Sequence, residues 1–394
     1  MNKSQRGAVA VLLAFSVMLP FAQVATLVSS APGPVAGTEA AEHLTLPRPT
    51  GPYTVGQSAL HLTDTSRPDP WVPRAGARQI LVSMHYPARP RTGTRTVRYM
   101  REDETRELMR TVLSDLVPPG SERLLAAMRT WSRQDARPVK GRFPLVVLSP
   151  GFGAPRMTLT LLAEDLASRG YVVASLDHAF ESTATAFPGR GVLSCVACDE
   201  DESKEVSEVV VEGRAKDVSF VLDRLTGPRP AWNHAEMIDS RRIGMAGHSI
   251  GGAATARTMA TDARVDAGVN MDGSFFSPIP QRGLGGRPFL MLGAEDAGPG
   301  SGDRSWDTAW KRLDGWKRWL TVIGSDHYTF SDAPALLAQI NGTPDQPGSL
   351  SGKRSARITR TFVAAFFDRH LKAANRPVLN GPTSTTPEVL FRRP

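Results

Sequence analysis

The sequence predicts an α/β protein with a mostly parallel central sheet and helices on both faces. From residue 143 onward, strand-like runs alternate with helix-length segments. Those runs are almost continuously apolar, as expected of strands covered on both sides. With 394 residues, 41% of them hydrophobic, there is ample material for such a core.

The elements follow in order. Lys3 and Arg6 precede an uncharged stretch from Gly7 to Ala36, the layout of an export signal. Residues 1–40 are therefore read as a signal peptide or N-terminal anchor, and the protein as secreted or held in the cell envelope. Ser29 and Ala31 fit the small-residue cleavage rule, but Pro32 would hinder cutting there, and Ala36 or Ala40 are alternatives. The length of the apolar run, interrupted by Pro20, keeps a retained anchor as the other reading. No later segment is long and apolar enough to span a bilayer.

After a Pro- and Gly-rich linker, residues 53–63 and 79–86 read as two strands forming a hairpin-like sheet edge. Residues 97–133 then carry helical spacing, with Leu108, Val112, Leu113 and Leu116, then Leu124, Leu125, Met128 and Trp131, broken by Pro118-Pro119-Gly120. This is read as a helical insertion whose apolar stripe covers core rather than forming a lipid-facing lid. Strands are predicted over 143–149, 171–177, 242–249, 265–272, 288–294 and 319–324. Helices are predicted near 157–169, 204–225, 251–260, 305–315 and 355–373. One domain over 41–380 suffices, with 381–394 as a surface tail.

The formal charge is +8, from 47 Lys and Arg against 39 Asp and Glu. The basic residues are scattered arginines without aromatic interleaving, so no nucleic-acid partner is expected, and a basic surface implies at most peripheral contact with anionic lipid. Cys195 and Cys198 are the only cysteines and lack the second ligand pair of a zinc site, so a local disulfide is expected and no metal.

The chemistry centres on GHSIGG. Ser249 stands between Gly247 and Gly251, directly after an apolar strand and before a small-residue helix, the setting of the nucleophile elbow of α/β-hydrolases. A G-x-S-x-G string alone arises in on the order of one chain in ten of this length, so its position gives it weight. A serine hydroxyl needs a histidine to take its proton and an acid to orient that histidine. Only His327 and His370 follow Ser249. His370 lies inside an apolar-periodic helix and reads as structural. His327 lies on the loop after strand 319–324, at the carboxyl edge of the sheet, and is the expected base. For the acid, Asp272 in VNMDGS and Glu295 or Asp296 in LGAEDAG both stand at strand ends, and the pattern does not choose between them.

From residue 143 to about 335 the chain resembles the plasma-type platelet-activating factor acetylhydrolase family. FPLVVLSPGFGAPR resembles that family's strand and oxyanion turn, EDLASRGYVVASLDH its next helix and strand, GHSIGG its elbow, and GSDHYTFSD its histidine loop. The resemblance implies that Asp272 is the acid. The spacings of 23 residues from Ser249 to Asp272 and 55 from Asp272 to His327 fit the family pattern. Departures are Pro150, where the family turn usually has His, and Gly273 and Ser274 in place of aromatic residues, with Phe275 and Phe276 close behind.

The oxyanion donors are expected to be the main-chain N–H groups of Phe152 and Ile250. His178 and Glu181, at another strand end, are read as loop packing rather than pocket lining. The resemblance implies an ester hydrolase without cofactor, acting on a small-molecule or lipid ester with a short acyl group, acetyl to about hexanoyl. A closed pocket gains roughly 0.8 kcal/mol per CH₂ only while there is room, and some of Phe152, Phe275 and Phe276 are expected to close it, with core packing the other reading of Phe275 and Phe276. Alternatives are a polyester or triglyceride hydrolase, an acyltransferase on the same fold, and a non-catalytic binding module.

Overall fold

A computed structural model describes residues 43–201, 203–342 and 349–393; the expected export segment and any cleavage point lie outside these. The chain enters through strands β1 (Thr54–Pro68) and β2 (Ala77–Ala88), which pair antiparallel. Next come β3 (Thr96–Arg98), helices α1 (Glu102–Leu108) and α2 (Ser121–Ala127), and β4 (Arg129–Gln134). The alternating part follows: β5 (Phe143–Ser149), α3 (Thr160–Ser168), β6 (Val172–His178), then a small hairpin of β7 (Thr185–Phe187) and β8 (Gly191–Leu193), and α4 (Lys204–Thr226). It continues with β9 (Ile238–His248), α5 (Ile250–Thr261), β10 (Ala267–Met271), β11 (Phe289–Gly293), α6 (Arg304–Arg312), β12 (Lys317–Val322), α7 (Ala333–Ile340), α8 (Gly352–Leu371) and β13 (Val389–Arg392).

The main sheet runs β13-β12-β11-β10-β9-β5-β6-β2-β1-β4-β3. Its centre, from β12 to β6, is parallel. All seven residues of β6 are buried, and so are all five of β10 and of β11, which explains runs without alternation. One face packs on α4, α5 and α6 through Val218, Leu222, Met259 and Trp306. The other packs on α3 and α8 through Leu162, Leu166, Phe362 and Phe366.

The structure departs from the sequence reading at both sheet edges. β1 and β2 are interior, because the insertion supplies β4 and β3 outside them. The insertion is thus helical only in its middle. Arg129–Gln134 alternates in burial, but its inward side chains are Thr130 and Ser132, so polar inward residues hid the period of two. Ser132 earns burial by bonding Glu164 through its N–H at 2.6 Å and its hydroxyl at 2.5 Å. Trp131 faces outward, its indole N–H on the Leu46 carbonyl at 2.9 Å. The stripe itself does cover core: Leu125 and Met128 pack with Met157, Leu161, Leu336 and Ile340. The last residues are not simply a tail, since β13 pairs antiparallel with β12, Val389 opposite Val322. Among the described residues, no helix is long and apolar enough to cross a membrane.

Candidate active site

The sheet's topology brings the site residues to one edge. β5, β9, β10 and β12 are parallel, so their carboxyl ends lie together, and the chain leaves each in a loop there. Ser249 directly follows β9 and directly precedes α5, at φ 55° and ψ −128°. For a non-glycine residue this is a sparsely populated conformation costing about 1–3 kcal/mol, held by surrounding contacts. Its N–H bonds the Met271 carbonyl at 2.8 Å. The flanking glycines are needed for close approach: a Cβ on Gly247 would stand 2.1 Å from the Gly251 carbonyl carbon, and one on Gly251 would stand 2.1 Å from the Ser149 oxygen.

His327 begins a short 3-10 turn after β12, capped by Asp326, whose carboxylate accepts from the Tyr328 N–H at 3.0 Å. Its Nε2 lies 2.9 Å from Ser249 Oγ and its Nδ1 lies 2.6 Å from Asp272 Oδ2. Asp272, at φ 58° just past β10, accepts at its other oxygen from the Ala294 N–H at 2.7 Å. Glu295 and Asp296 are exposed, and Glu295 accepts from the Gly324 N–H at 2.8 Å. Partial burial alone would depress the His327 imidazolium, but the hydrogen bond and charge of Asp272, assisted by Asp296 and Asp326, outweigh it and raise the pKa. His370 stays remote, its ring 4.6 Å from Trp316 and 4.9 Å from Phe366.

His248, beside the serine, donates from Nε2 to the His327 carbonyl at 2.7 Å. Burial first, and then the nearby His327, push its pKa down to about 4, so it is neutral at pH 7 and its remaining nitrogen has no proton. The elbow and the histidine loop are thereby tied directly.

The turn after β5 reaches the same place: a Cβ on Gly151 would sit 3.5 Å from that of Ser249. The Phe152 N–H makes no hydrogen bond among the described residues. The Ile250 N–H is one of the N-terminal donors of α5 that a helix leaves unpaired. The Phe152 and Phe276 side chains pack, half-buried, with Trp71 against Ile250, Val210 and Val211. Phe275 instead enters the core, 6.1 Å from Phe289 and 5.9 Å from Trp306.

Behind this turn lies a cluster that sequence reasoning missed. Arg214 and Asp217 project inward from α4 and meet Arg78, His178 and Glu181, all five fully buried. Arg214 donates to the Pro150 carbonyl at 2.5 Å and to Glu181 at 2.9 Å. The Glu181 carbonyl in turn accepts from the Gly153 N–H at 3.1 Å. His178 bridges Ser149 Oγ at 3.1 Å and Asp217 at 2.6 Å. Arg78 donates to Glu181 at 2.6 Å and to Asp217 at 2.9 Å. Burial alone would raise both carboxyls, yet Arg78, joined by Arg214 at Glu181, holds them below their ordinary range. The signal was present: Arg214 and Asp217 interrupt an inward stripe of Val210, Val211, Val218 and Val221. Cys195 and Cys198 form a disulfide beside the same turn, with Cys198 Sγ 3.2 Å from where a Gly153 Cβ would be.

A parallel sheet flanked by helices, with a serine on a strained strand-to-helix turn, defines an α/β-hydrolase. A family model described as platelet-activating factor acetylhydrolase, isoform II, matches residues 38–225 and 231–378, and the chain belongs to that family. It is 29% identical over 378 residues to the "Probable 1-alkyl-2-acetylglycerophosphocholine esterase" of Arthroderma benhamiae, covering 88% of this chain and 93% of that one. It is 25% identical to the platelet-activating factor acetylhydrolase of Canis lupus familiaris, over 58% of this chain and 57% of that one. The solved structure of a ferulic acid esterase from Streptomyces cinnamoneus superposes with a TM-score of 0.79 at 42% identity, covering 89% of this chain and 99% of that one. The chain is accordingly a carboxylic ester hydrolase.

Proposed function

We propose that this enzyme cleaves short-chain acyl esters through an acyl-enzyme on Ser249, and the observation that carries the reading is the hydrogen-bonded chain from Ser249 through His327 to Asp272. Ser249 Oγ attacks the ester carbonyl carbon while His327 Nε2 takes the hydroxyl proton. Asp272 keeps the other ring proton on Nδ1 and stabilises the imidazolium. The N–H groups of Phe152 and Ile250 receive the oxyanion. His327 passes its proton to the leaving alkoxide, then takes one from water. The resulting hydroxide adds to the acyl carbon, the carboxylic acid departs, and the proton returns to Ser249.

Phe152 and Phe276, packed on Ile250 beside the nucleophile, support a short acyl pocket. Phospholipids with a short second acyl chain suit such a pocket, and they would bring the enzyme to a lipid surface. A second reading, favoured by 42% identity to a ferulic acid esterase, is an aromatic hydroxycinnamoyl acyl group. Export is part of the proposal, supported by the charged-then-apolar first 36 residues and the Cys195–Cys198 disulfide.

The test is kcat/KM for p-nitrophenyl esters from acetate to palmitate, a methyl hydroxycinnamate and a phospholipid with a short second acyl chain, with Ser249→Ala as control. A maximum at short chains with no turnover by Ser249→Ala is expected. A maximum on the hydroxycinnamate would replace the acyl assignment, and a Ser249→Ala enzyme within tenfold of wild type would end the nucleophile assignment.

A further inference from the structure

A cavity of about 700 Å³ lies where β6, β2 and β1 run side by side, with its floor on the α3 face of the sheet and Trp232 and His234 at its far end. None of Ser249, Asp272, His327, Phe152 or Ile250 lines it. Its floor is anomalous for a sheet interior. Gln57 stands opposite His85 across β1 and β2, and Ser83 stands opposite Ser175 across β2 and β6. These four polar side chains replace the apolar pattern that Val55 and Val173 carry on the same face.

Most of their polar atoms have no partner. His85 and Ser175 are each only 2% exposed, yet neither ring nitrogen of His85 makes a hydrogen bond of normal geometry, its polar neighbour being the Ser83 main chain, nor does Ser175 Oγ or Gln57 Oε1. Four of the twelve such atoms among the described residues therefore share one cavity floor. A buried polar atom left unpaired is unfavourable, so a floor of them calls for something that bonds it.

The walls indicate what that is. Burial, with the charge of Arg156, holds the His85 pKa down to about 3, so its ring is neutral and offers one donor and one acceptor. Arg156, which lines the cavity, gives Nε to Ser83 at 2.8 Å and Nη1 to Asp177, while its Nη2 makes no hydrogen bond among the described residues. Five arginines and two acids line the space, and Arg98 and Arg101 pair with Glu102 and Asp103 just beyond it. One of the two lining acids, Glu104, already accepts main-chain N–H groups from Arg101 at 3.0 Å and Ala186 at 2.9 Å.

We propose that this cavity is a second ligand site, taking a small hydroxylated anion: an acidic oxygen group on Arg156, carried by a carbon frame whose hydroxyls pair with His85, Ser175 and Gln57. An apolar ligand would leave the floor unpaired, and an uncharged polyol would offer the Nη2 of Arg156, whose charge Asp177 already balances, only a neutral acceptor. Carboxylate and phosphate share the required chemistry.

Calorimetric titration of the full chain with gluconate and with glycerol 3-phosphate tests this, with glycerol and butyrate as controls. Saturable binding of at least one anion is expected, and which one binds identifies the acidic group. Affinity should fall about tenfold in His85→Leu and in Ser175→Ala, each of which removes a paired hydrogen bond. Should His85→Leu fail to fold, Ser175→Ala alone decides. Binding should be unchanged in Ser249→Ala, which keeps this test independent of the proposed esterase mechanism. The site is refuted if neither anion gives saturable heat, if both floor variants bind like wild type, if Ser249→Ala abolishes binding, or if glycerol or butyrate binds as tightly as the anions.

Discussion

Arg214 donates to the carbonyl of Pro150 at 2.5 Å from within a fully buried charge cluster. The same guanidinium holds Glu181, whose main-chain carbonyl anchors Gly153 on the far side of the turn. Both flanks of Phe152 are thus fixed while its own N–H makes no hydrogen bond among the described residues.

Arg214 is therefore expected to be a positioning residue. Arg214→Met should lower kcat by about tenfold to a hundredfold with KM little changed, since it loosens a donor that matters most in the transition state. Stability should fall by about 3–5 kcal/mol, as is usual when one partner of a buried ion pair is removed. Arg214→Lys should recover part of kcat by restoring one donor. Active-site titration separates the two effects. A purely structural role would reduce the number of active molecules but leave turnover per titrated site at the wild-type value.

The acid assignment yields a sharper contrast. Asp272→Asn should cost several orders of magnitude in kcat, because His327 loses the acceptor that fixes its tautomer, about 10⁴-fold in the comparable triad. Asp296→Asn, at an exposed carboxyl with no bond to His327, should cost less than about threefold through lost long-range attraction. The reverse ranking, measured with one p-nitrophenyl ester, would move the acid to the loop after β11.

The pH profile follows from the sign of the His327 shift. In the proposed mechanism the imidazole must be neutral to accept the serine proton, and Asp272 raises its pKa above the ordinary 6.5 despite burial. Activity should therefore be lost below the raised pKa and recovered as pH rises through it. The acid limb of kcat/KM should lie above pH 6.5 and move lower in Asp272→Asn, where residual activity permits measurement. His248 should contribute no limb near neutrality, since its pKa lies at about 4. A profile flat from pH 5 to 8 would contradict the role of His327.

What could be read without coordinates, and what could not, has physical causes. The central strands announced themselves because burial on both faces removes polar residues from a strand, as in β6 and β10. Ser249 and His327 could be placed because a parallel sheet puts all its carboxyl-end loops together. Asp272 and Asp296 both met that condition, so residue pattern left the choice to the family resemblance, and in the structure it is Asp272 that lies 2.6 Å from His327 Nδ1. The outer strands β4 and β13 were hidden by inward polar residues in one and by shortness in the other. The Arg214 cluster joins residues more than a hundred positions apart, from Arg78 to Asp217, and no local period reports such pairing.

The oxyanion turn offers the last contrast, between a main-chain group and the side chain attached to it. If the Ile250 N–H is the donor, Ile250→Val keeps it. The loss of one methylene from a buried side chain, 5% exposed, should then cost about 0.5–1.5 kcal/mol of stability and no more than a few-fold in kcat. Gly151 is different. Even a bare Cβ there would meet His248 Nδ1 at 3.1 Å and the Ser249 Cβ at 3.5 Å, so the methyl groups of a valine have no room unless the turn moves. His248 cannot yield freely, because its other nitrogen is bonded to the His327 carbonyl at 2.7 Å. The displacement would reach the Phe152 N–H on one side and the histidine loop on the other. Gly151→Val should therefore lower kcat by about 10²-fold or more, the size of effect seen when one oxyanion donor is removed. Gly151→Ala should fall between the extremes. Comparable kcat values for Ile250→Val and Gly151→Val would show that backbone placement of the turn does not limit the reaction.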